Sequence, residues 1–387
     1  MLARDMLCFS HLRWNFVFQR PNHLMSRFAR QSRVFFIEEP VFDASVPHLE
    51  RSSIEPNLIR IVPHLPSGRT PEASTSAVRA LLVGLSAELQ LGEAIHWFYT
   101  PLMLPWTEGL TNSLVVYDCM DELSNFHFAP PELVEREAQL MRKADIVFTG
   151  GMALYAAKRD RHPNVHGVPS SVDVPFFSRA REPQIDPPQQ ASIPRARVGY
   201  CGVIDERIDL HLVAELARAR PQVQFVMVGP VVKISPESLP RSANIHYLGS
   251  KPYAELPSYM AGWDAAIMPF ALNDATRFIS PTKTPEYLAA GKRVVSTAIP
   301  DVVEPYERLG LVRIGRSPSE FVALLDAALQ DDGSLDEARD AFLATHSWEA
   351  TWQRMQMLMT EATRARRGAV HASSEEARSG TTAAAAE

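Results

Sequence analysis

The chain has 387 residues, 46% hydrophobic and 22% charged, a balance that excludes a largely disordered chain and a length that predicts two domains with additions. Lys and Arg number 39 against 45 Asp and Glu, and this net charge of −6 excludes a global basic field recruiting nucleic acid. No apolar run approaches a membrane span, the N-terminus lacks the shape of a signal peptide, and Cys8, Cys119 and Cys201 are too scattered for a disulfide framework or structural zinc. A cytoplasmic protein of a reducing compartment is expected.

In chain order, short apolar runs alternate with amphipathic segments, the α/β signature. Strands are predicted at Arg4–Phe9, Val34–Ile37, Leu58–Val62, Ala94–Phe98, Leu114–Tyr117, Ile146–Thr149 and Asn164–Val168. Helices are predicted at Pro21–Arg30, with Pro in the first turn, and at Pro131–Lys143, where Leu133, Leu140 and Met141 recur at helical spacing. From Ser178 to Arg195 the prolines 183, 187, 188 and 194 break all periodicity, which reads as a linker. The rhythm then restarts, with strands at Arg197–Cys201, Gln224–Val228, Ile245–Leu248, Ala265–Met268, Arg293–Ser296 and Leu311–Ile314. Ser347–Arg366 is a long final helix carrying Trp348 and Trp352, and the Ala-, Ser- and Thr-rich tail 368–387 is expected to be disordered. Both halves place an Asp just before a buried strand, Asp145 before Ile146 and Asp264 before Ala265. With the linker, this suggests two Rossmann-like domains, 1–177 and 196–346, facing one another across a cleft.

Familiar templates are missing. No G-x-G-x-x-G opens either half, and no Walker A, H-E-x-x-H or G-x-S-x-G sequence occurs. Nicotinamide enzymes, P-loop NTPases, zincins and serine hydrolases are therefore poorly supported.

The richest segment runs from Arg277 to Val295: a loop, a helix beginning near Thr282, a stop at Gly291 and a strand. Ser280 or Thr282 can cap the helix, whose free N–H groups make an anion site. Lys283 in the first turn opposes the helix dipole, so an anionic partner would explain it, and Glu286 sits one turn further in. Taken alone, the segment fits a capped surface helix with both charges in solvent equally well.

Pro281, Lys283, Glu286, Leu288, Ala289, Gly291, Val294 and Val295 resemble the P-x-K-x-x-E-x-L-A-x-G-x-P-V-V motif of the family-4-like, group 1 retaining glycosyltransferases of the GT-B fold. Arg293 stands where Pro is usual, and Phe278 stands where the motif's longer form has a first Glu that touches the donor sugar. The resemblance continues, in the family's order, through Gly199–Leu210, Val226–Pro230, Asn244–Gly249, Leu256–Tyr259, and Asp264 with Pro269. Pro169–Asp173 resembles the family's crossing between domains, so residues 165–345 are covered. The fold implied is GT-B, with a final helix crossing back onto the first domain.

In the first half, Ser10–Pro21 follows the first strand and lies at the carboxyl edge of the sheet, where α/β sites form. His11, Arg13 and Arg20 are candidate acceptor or phosphate contacts, while Trp14, Phe16 and Phe18 read equally as packing beneath the loop. Tyr117–Glu122 follows another strand and offers Asp118, Asp121 and Glu122, with Asp121 the candidate to position an acceptor hydroxyl and the others candidates for capping. D-x-x-D is not a D-x-D metal motif, so no metal is assigned and no cofactor is expected.

The resemblance implies transfer from a nucleotide-sugar donor, UDP first with GDP open, to a carbohydrate or lipid-linked acceptor in polysaccharide or glycolipid synthesis. Arg207, Lys283 and the N–H groups around Ser280 and Thr282 would carry leaving-group charge, Pro281 would line the donor site, and Glu286 would bind ribose hydroxyls. Gly202, Gly229 and Lys233 complete the expected donor site. A sugar-nucleotide 2-epimerase and an inactive glycosyltransferase-like subunit remain alternatives. The basic and aromatic N-terminal region, from Arg13 to Arg33, leaves open a peripheral contact with anionic lipid at the inner membrane face.

Overall fold

The computed structural model describes residues 5–127, 129–331 and 336–383, with backbone alone for 369–383. The first domain holds an eight-stranded sheet of β1 (Met6–Phe9), β2 (Val34–Ile37), β3 (His48–Glu55), β4 (Leu58–His64), β5 (Ala94–Phe98), β6 (Asn112–Cys119), β7 (Ile146–Thr149) and β8 (Val165–Gly167), ordered β3-β4-β2-β1-β5-β6-β7-β8. The second holds β9 (Arg197–Cys201), β10 (Gln224–Val228), β11 (Ile245–Gly249), β12 (Ala265–Met268), β13 (Arg293–Ser296) and β14 (Arg313–Ile314), ordered β11-β10-β9-β12-β13-β14. All pairings are parallel except β3 with β4. Helices cover both faces, so central strands such as β1, β7 and β12 are buried along their whole length and read as unbroken apolar runs.

The edge strand β3 escapes the sequence reading. His48, Glu50, Arg51 and Ser53 are exposed along it, and it is held by its antiparallel ladder to β4 rather than by an apolar face. The predicted linker is packed rather than loose. Gln190 is fully buried, accepting from Trp263 Nε1 at 2.9 Å and donating to Tyr259 O at 3.0 Å, and Asp186 pairs with Arg197 at 2.6 Å. These bonds fasten the linker to the second domain.

The final helix crosses back as expected. Trp348, Trp352, Met355 and Met359 are buried in the first domain's core with Met6, Trp97 and Phe148. Burying one such large side chain contributes about 2–3 kcal/mol. Arg27 and Arg30 pair with Glu349, Ser171 Oγ lies 2.6 Å from Thr351 Oγ1, and Arg366 pairs with Asp145. The helix does not stop at Arg366 but continues to Ala383, where disorder was expected. Extending a docked helix needs no new nucleus, and the alanines and glutamates of this stretch are good helix formers. Residues 384–387 lie outside the described residues. No helix among the described residues is long and apolar enough to cross a membrane.

Candidate functional site

The carboxyl ends of both sheets face one cleft. Its larger cavity, about 570 Å³, is lined by Gly202, Arg207, Gly229, Thr282, Lys283 and Glu286 from the second domain and by the Trp14–Gln19 loop from the first. A smaller one of about 100 Å³ shares Arg207, Thr282 and Lys283 and adds Asp121, Arg20, Gly150, Ser280 and Pro281. Most of the candidate residues thus meet across a single gap, although they come from distant stretches of the chain.

Two glycines let the second domain close this tightly. Gly202 ends β9 at φ +156°, and a Cβ there would sit 1.9 Å from Lys283 Cε. Gly229 ends β10 at φ +146°, and its Cβ would sit 1.9 Å from the carbonyl oxygen of Gly202. Any side chain at either position would push Lys283 or the turn out of the cleft.

The helix Lys283–Ala289 is fixed by Tyr287, whose hydroxyl accepts from Cys201 N at 2.6 Å and donates to Cys201 O at 3.2 Å. That clasp sets Lys283 Nζ over the Tyr200 ring, 5.9 Å from its centroid. The expected hydroxyl cap is absent. Thr282 sits at the N-cap position with helical backbone angles and gives its hydroxyl to Glu286, while Ser280 bonds Asp301. Both hydroxyls are claimed by carboxylates, leaving none for the helix terminus.

The charges are strongly perturbed. Burial, reinforced by Arg207, lowers the Lys283 pKa against the pull of Glu286. Burial raises Glu286 to about 7 despite Lys283 and the Thr282 bond. Arg207 is also desolvated, but Asp205 outweighs this and raises its pKa, with Nε–Oδ1 at 2.9 Å and Nη2–Oδ2 at 2.6 Å. Burial raises Asp121 as well, against the nearby charge of Arg207. No carboxylate lies within ion-pair distance of Lys283 among the described residues. Lys283 therefore stands without a direct ion-pair partner beside the Asp205-bound Arg207, where an anion would enter.

The remaining candidates take other places. Arg20 is buried and spends its guanidinium on Asp118, at 2.8–3.2 Å, and on the carbonyl of Val168 at 2.8 Å. Arg13 lies at the rim, held by Glu38 at 3.1 Å and Glu39 O at 2.7 Å. His11 has a buried Nδ1 without a partner, and burial with the Lys233 charge lowers its pKa to about 4. Lys233 and Arg207 approach the two-cation cradle of Phe126, at 5.5 and 5.8 Å from its centroid. Phe278 packs against the first domain's core instead of entering the cleft.

Three residues of the cleft were not singled out in the sequence. Asp205 could have been found, two positions before Arg207. Tyr253, whose buried hydroxyl lacks a partner and whose ring meets Phe18 at 4.4 Å, sits in a stretch with no motif. Asp301 reaches the first domain from beyond β13, a contact no local pattern announces.

Residues 195–331 match the family model described as "Glycosyl transferases group 1". The chain is 26% identical over 291 residues to the Bacillus subtilis (strain 168) protein named "Putative teichuronic acid biosynthesis glycosyltransferase TuaH", covering 68% of this chain and 71% of that one. Among solved structures it resembles one described as trehalose-6-phosphate from E. coli bound with UDP-2-fluoro glucose, with TM-score 0.68, 12% identity and coverage of 93% and 99% of the two chains. It also resembles sucrose-phosphate synthase from Thermosynechococcus elongatus, with TM-score 0.68, 15% identity and coverage of 94% and 100%. These structural likenesses establish the GT-B fold.

Proposed function

We propose that this chain, whose residues 195–331 match the group 1 glycosyltransferase model, is a retaining enzyme that moves a sugar from a UDP-sugar to a hydroxyl of a carbohydrate acceptor. Cell-surface polymer synthesis is the setting, a reading supported by the name of the Bacillus relative. The observation that carries the proposal is the meeting of Arg207, Lys283 and Glu286 with Asp121 across one interdomain gap.

Cleaving the anomeric C–O bond leaves the electron pair on the departing diphosphate. Arg207, held rigid by Asp205, and the partially desolvated Lys283 stabilise that charge without reorganising, which is where electrostatic catalysis is strongest. The backbone N–H groups of Ser280 and Thr282, on either side of Pro281, add to it. Glu286 takes the ribose hydroxyls, and Gly202 and Gly229 let the phosphates approach the backbone. Asp121 orients the acceptor hydroxyl, which attacks from the leaving-group face and passes its proton to the diphosphate oxygen. Arg20 acts at one remove, by fixing Asp118 three residues before Asp121 on the chain. Lys233 adds positive charge on the donor side, and His11 serves the acceptor.

A panel of nucleotide sugars, assayed for nucleotide release with and without hydroxyl acceptors, tests the reading. Acceptor-dependent release with an α-linked product from an α-linked donor supports it. Free epimerised donor, or binding without release from any donor, overturns it.

A further inference from the structure

At the amino-terminal ends of β5, β6 and β7, away from the interdomain cleft, the first domain has another cavity, of about 460 Å³. Its wall includes His96 of β5, only 1% exposed, with no hydrogen-bond partner at Nε2. Burial first, then Arg366 and Lys143, hold the His96 pKa down to about 4, so the ring is neutral. Its bond to the Thr111 backbone favours the charged form, as a ring N–H donating to a carbonyl does. The ring proton therefore belongs on Nδ1, and Nε2 offers a lone pair that nothing in the protein uses. Asn112 Oδ1 is a second buried acceptor without a partner on the same wall.

Cations stand at the mouth. Arg366, from the final helix, reaches Asp145 at 2.5 Å and Asn112 O at 3.3 Å. Lys143 pairs with no carboxylate among the described residues, and an adjoining cavity shares it with Arg136 and Arg142 of the same helix. The nearby carboxylates are already engaged, Asp145 by Arg366 and the N–H of Val115 at 2.7 Å, and Glu108 by Arg79 at 2.7 Å.

A ligand that completes this wall must bring negative charge to Lys143 and Arg366 and a hydroxyl hydrogen to the idle acceptors. We propose that the cavity binds a phosphate group bearing, or attached to, a hydroxyl: inorganic phosphate or a small phosphorylated sugar. Phosphate oxygens accept from Lys143 and Arg366, and an O–H donates to His96 Nε2. Because Arg366 rides on the final helix and Lys143 on the first domain's own helix, occupancy pins the two together. The site is independent of the reaction assigned to the cleft.

Thermal melting and calorimetry of the full chain at fixed ionic strength test this, with inorganic phosphate, sulfate and a hexose 6-phosphate as probes. Phosphate is expected to bind and raise the melting temperature, whereas sulfate, which has no hydroxyl at neutral pH, does so markedly less. Lys143→Gln, an exposed change, should keep the ligand-free melting temperature and weaken phosphate binding roughly tenfold, the worth of one charge-assisted bond. Lys283→Ala, which alters the cleft, should keep the response. Tighter binding of the hexose phosphate than of phosphate makes the sugar ester the ligand, and equal or weaker binding makes it the free ion. No response to either phosphate probe, an equal response to sulfate, or a response lost in Lys283→Ala but intact in Lys143→Gln overturns the proposal.

Discussion

Asp301, from the second domain, accepts a hydrogen bond from the backbone N–H of Met152 in the first, at 2.8 Å, and another from Ala153 at 2.8 Å. The carboxylate is 6% exposed and also takes the Ser280 hydroxyl. Gly151 makes this approach possible, because a Cβ there would lie 2.1 Å from Asp301 Oδ2. The latch joins Gly150, on one wall of the smaller cavity, to the segment that carries Lys283 on the other.

Asp301→Ala should therefore loosen the closed arrangement of the domains. Two hydrogen bonds to a charged group are worth roughly 3–6 kcal/mol gross, an upper bound for the loss at this contact. Turnover should fall at least tenfold, and small-angle scattering should report a larger radius of gyration. Gly151→Ala should act in the same direction by steric exclusion. Unchanged scattering and turnover in both variants would show that the latch is incidental.

Lys283 and Glu286 should divide their effects. Lys283→Ala removes stabilisation of charge that grows only as the bond breaks, so kcat should fall about 100- to 1000-fold. Glu286→Ala removes contacts to hydroxyls that change little along the reaction, so the donor KM should rise with a smaller change in kcat. Steady-state kinetics on both variants decide between this division and a helix that only caps the surface, for which neither constant would move.

Glu286 also makes donor binding depend on pH. Its folded pKa, about 7, lies above its ordinary value, so the folded state holds the proton more tightly than the unfolded one. Its contribution to stability is fully present below pH ~4.5 and is lost as pH rises through about 7. The donor needs the ionised carboxylate, so the donor KM should rise as pH falls through the same value. Glu286→Gln should flatten both the KM profile and this part of the stability curve. Parallel wild-type and mutant profiles would contradict the assignment.

Trp348 stacks on His23 with ring centroids 4.6 Å apart and is 1% exposed in the first domain's core. Trp348→Ala should cost about 3–5 kcal/mol. Removing residues 347–387 should destabilise more, whereas ending the chain after Gly368 should barely shift the melting temperature, since the described contacts of the helix end at Arg366. Equal losses from both truncations would refute this division of the helix.

Binding to anionic membranes should be weak. Arg13 pairs with Glu38, Arg20 with Asp118, Arg27 and Arg30 with Glu349, and Arg33 with Asp5. Four carboxylates thus offset these five arginines within the fold, and little charge is left for lipid. Flotation with phosphatidylserine vesicles at low salt checks this, and salt-sensitive binding would reverse it.

The sequence by itself determined the alternation of elements and singled out the charged residues that meet in the cleft. Buried parallel strands must be apolar throughout, so β2, β5, β7, β9, β10, β12 and β13 declare their bounds without any partner in view. Lys283 is legible because a cation in the first turn opposes the helix dipole, whereas Arg207 and the role of Glu286 are legible only through the family resemblance of the motifs around them. Only the tertiary structure decided what each charge faces. Arg20 looks like a ligand contact until Asp118, nearly a hundred residues away, takes its guanidinium. Asp301 carries no signal in the sequence, and its role appears only when Met152 and Ala153 of the other domain are seen to donate to it. The hydrophobic pattern is a property of consecutive residues, but the partner of a buried charge is chosen by the packing of distant ones. In the low dielectric between two domains, that choice sets the chemistry.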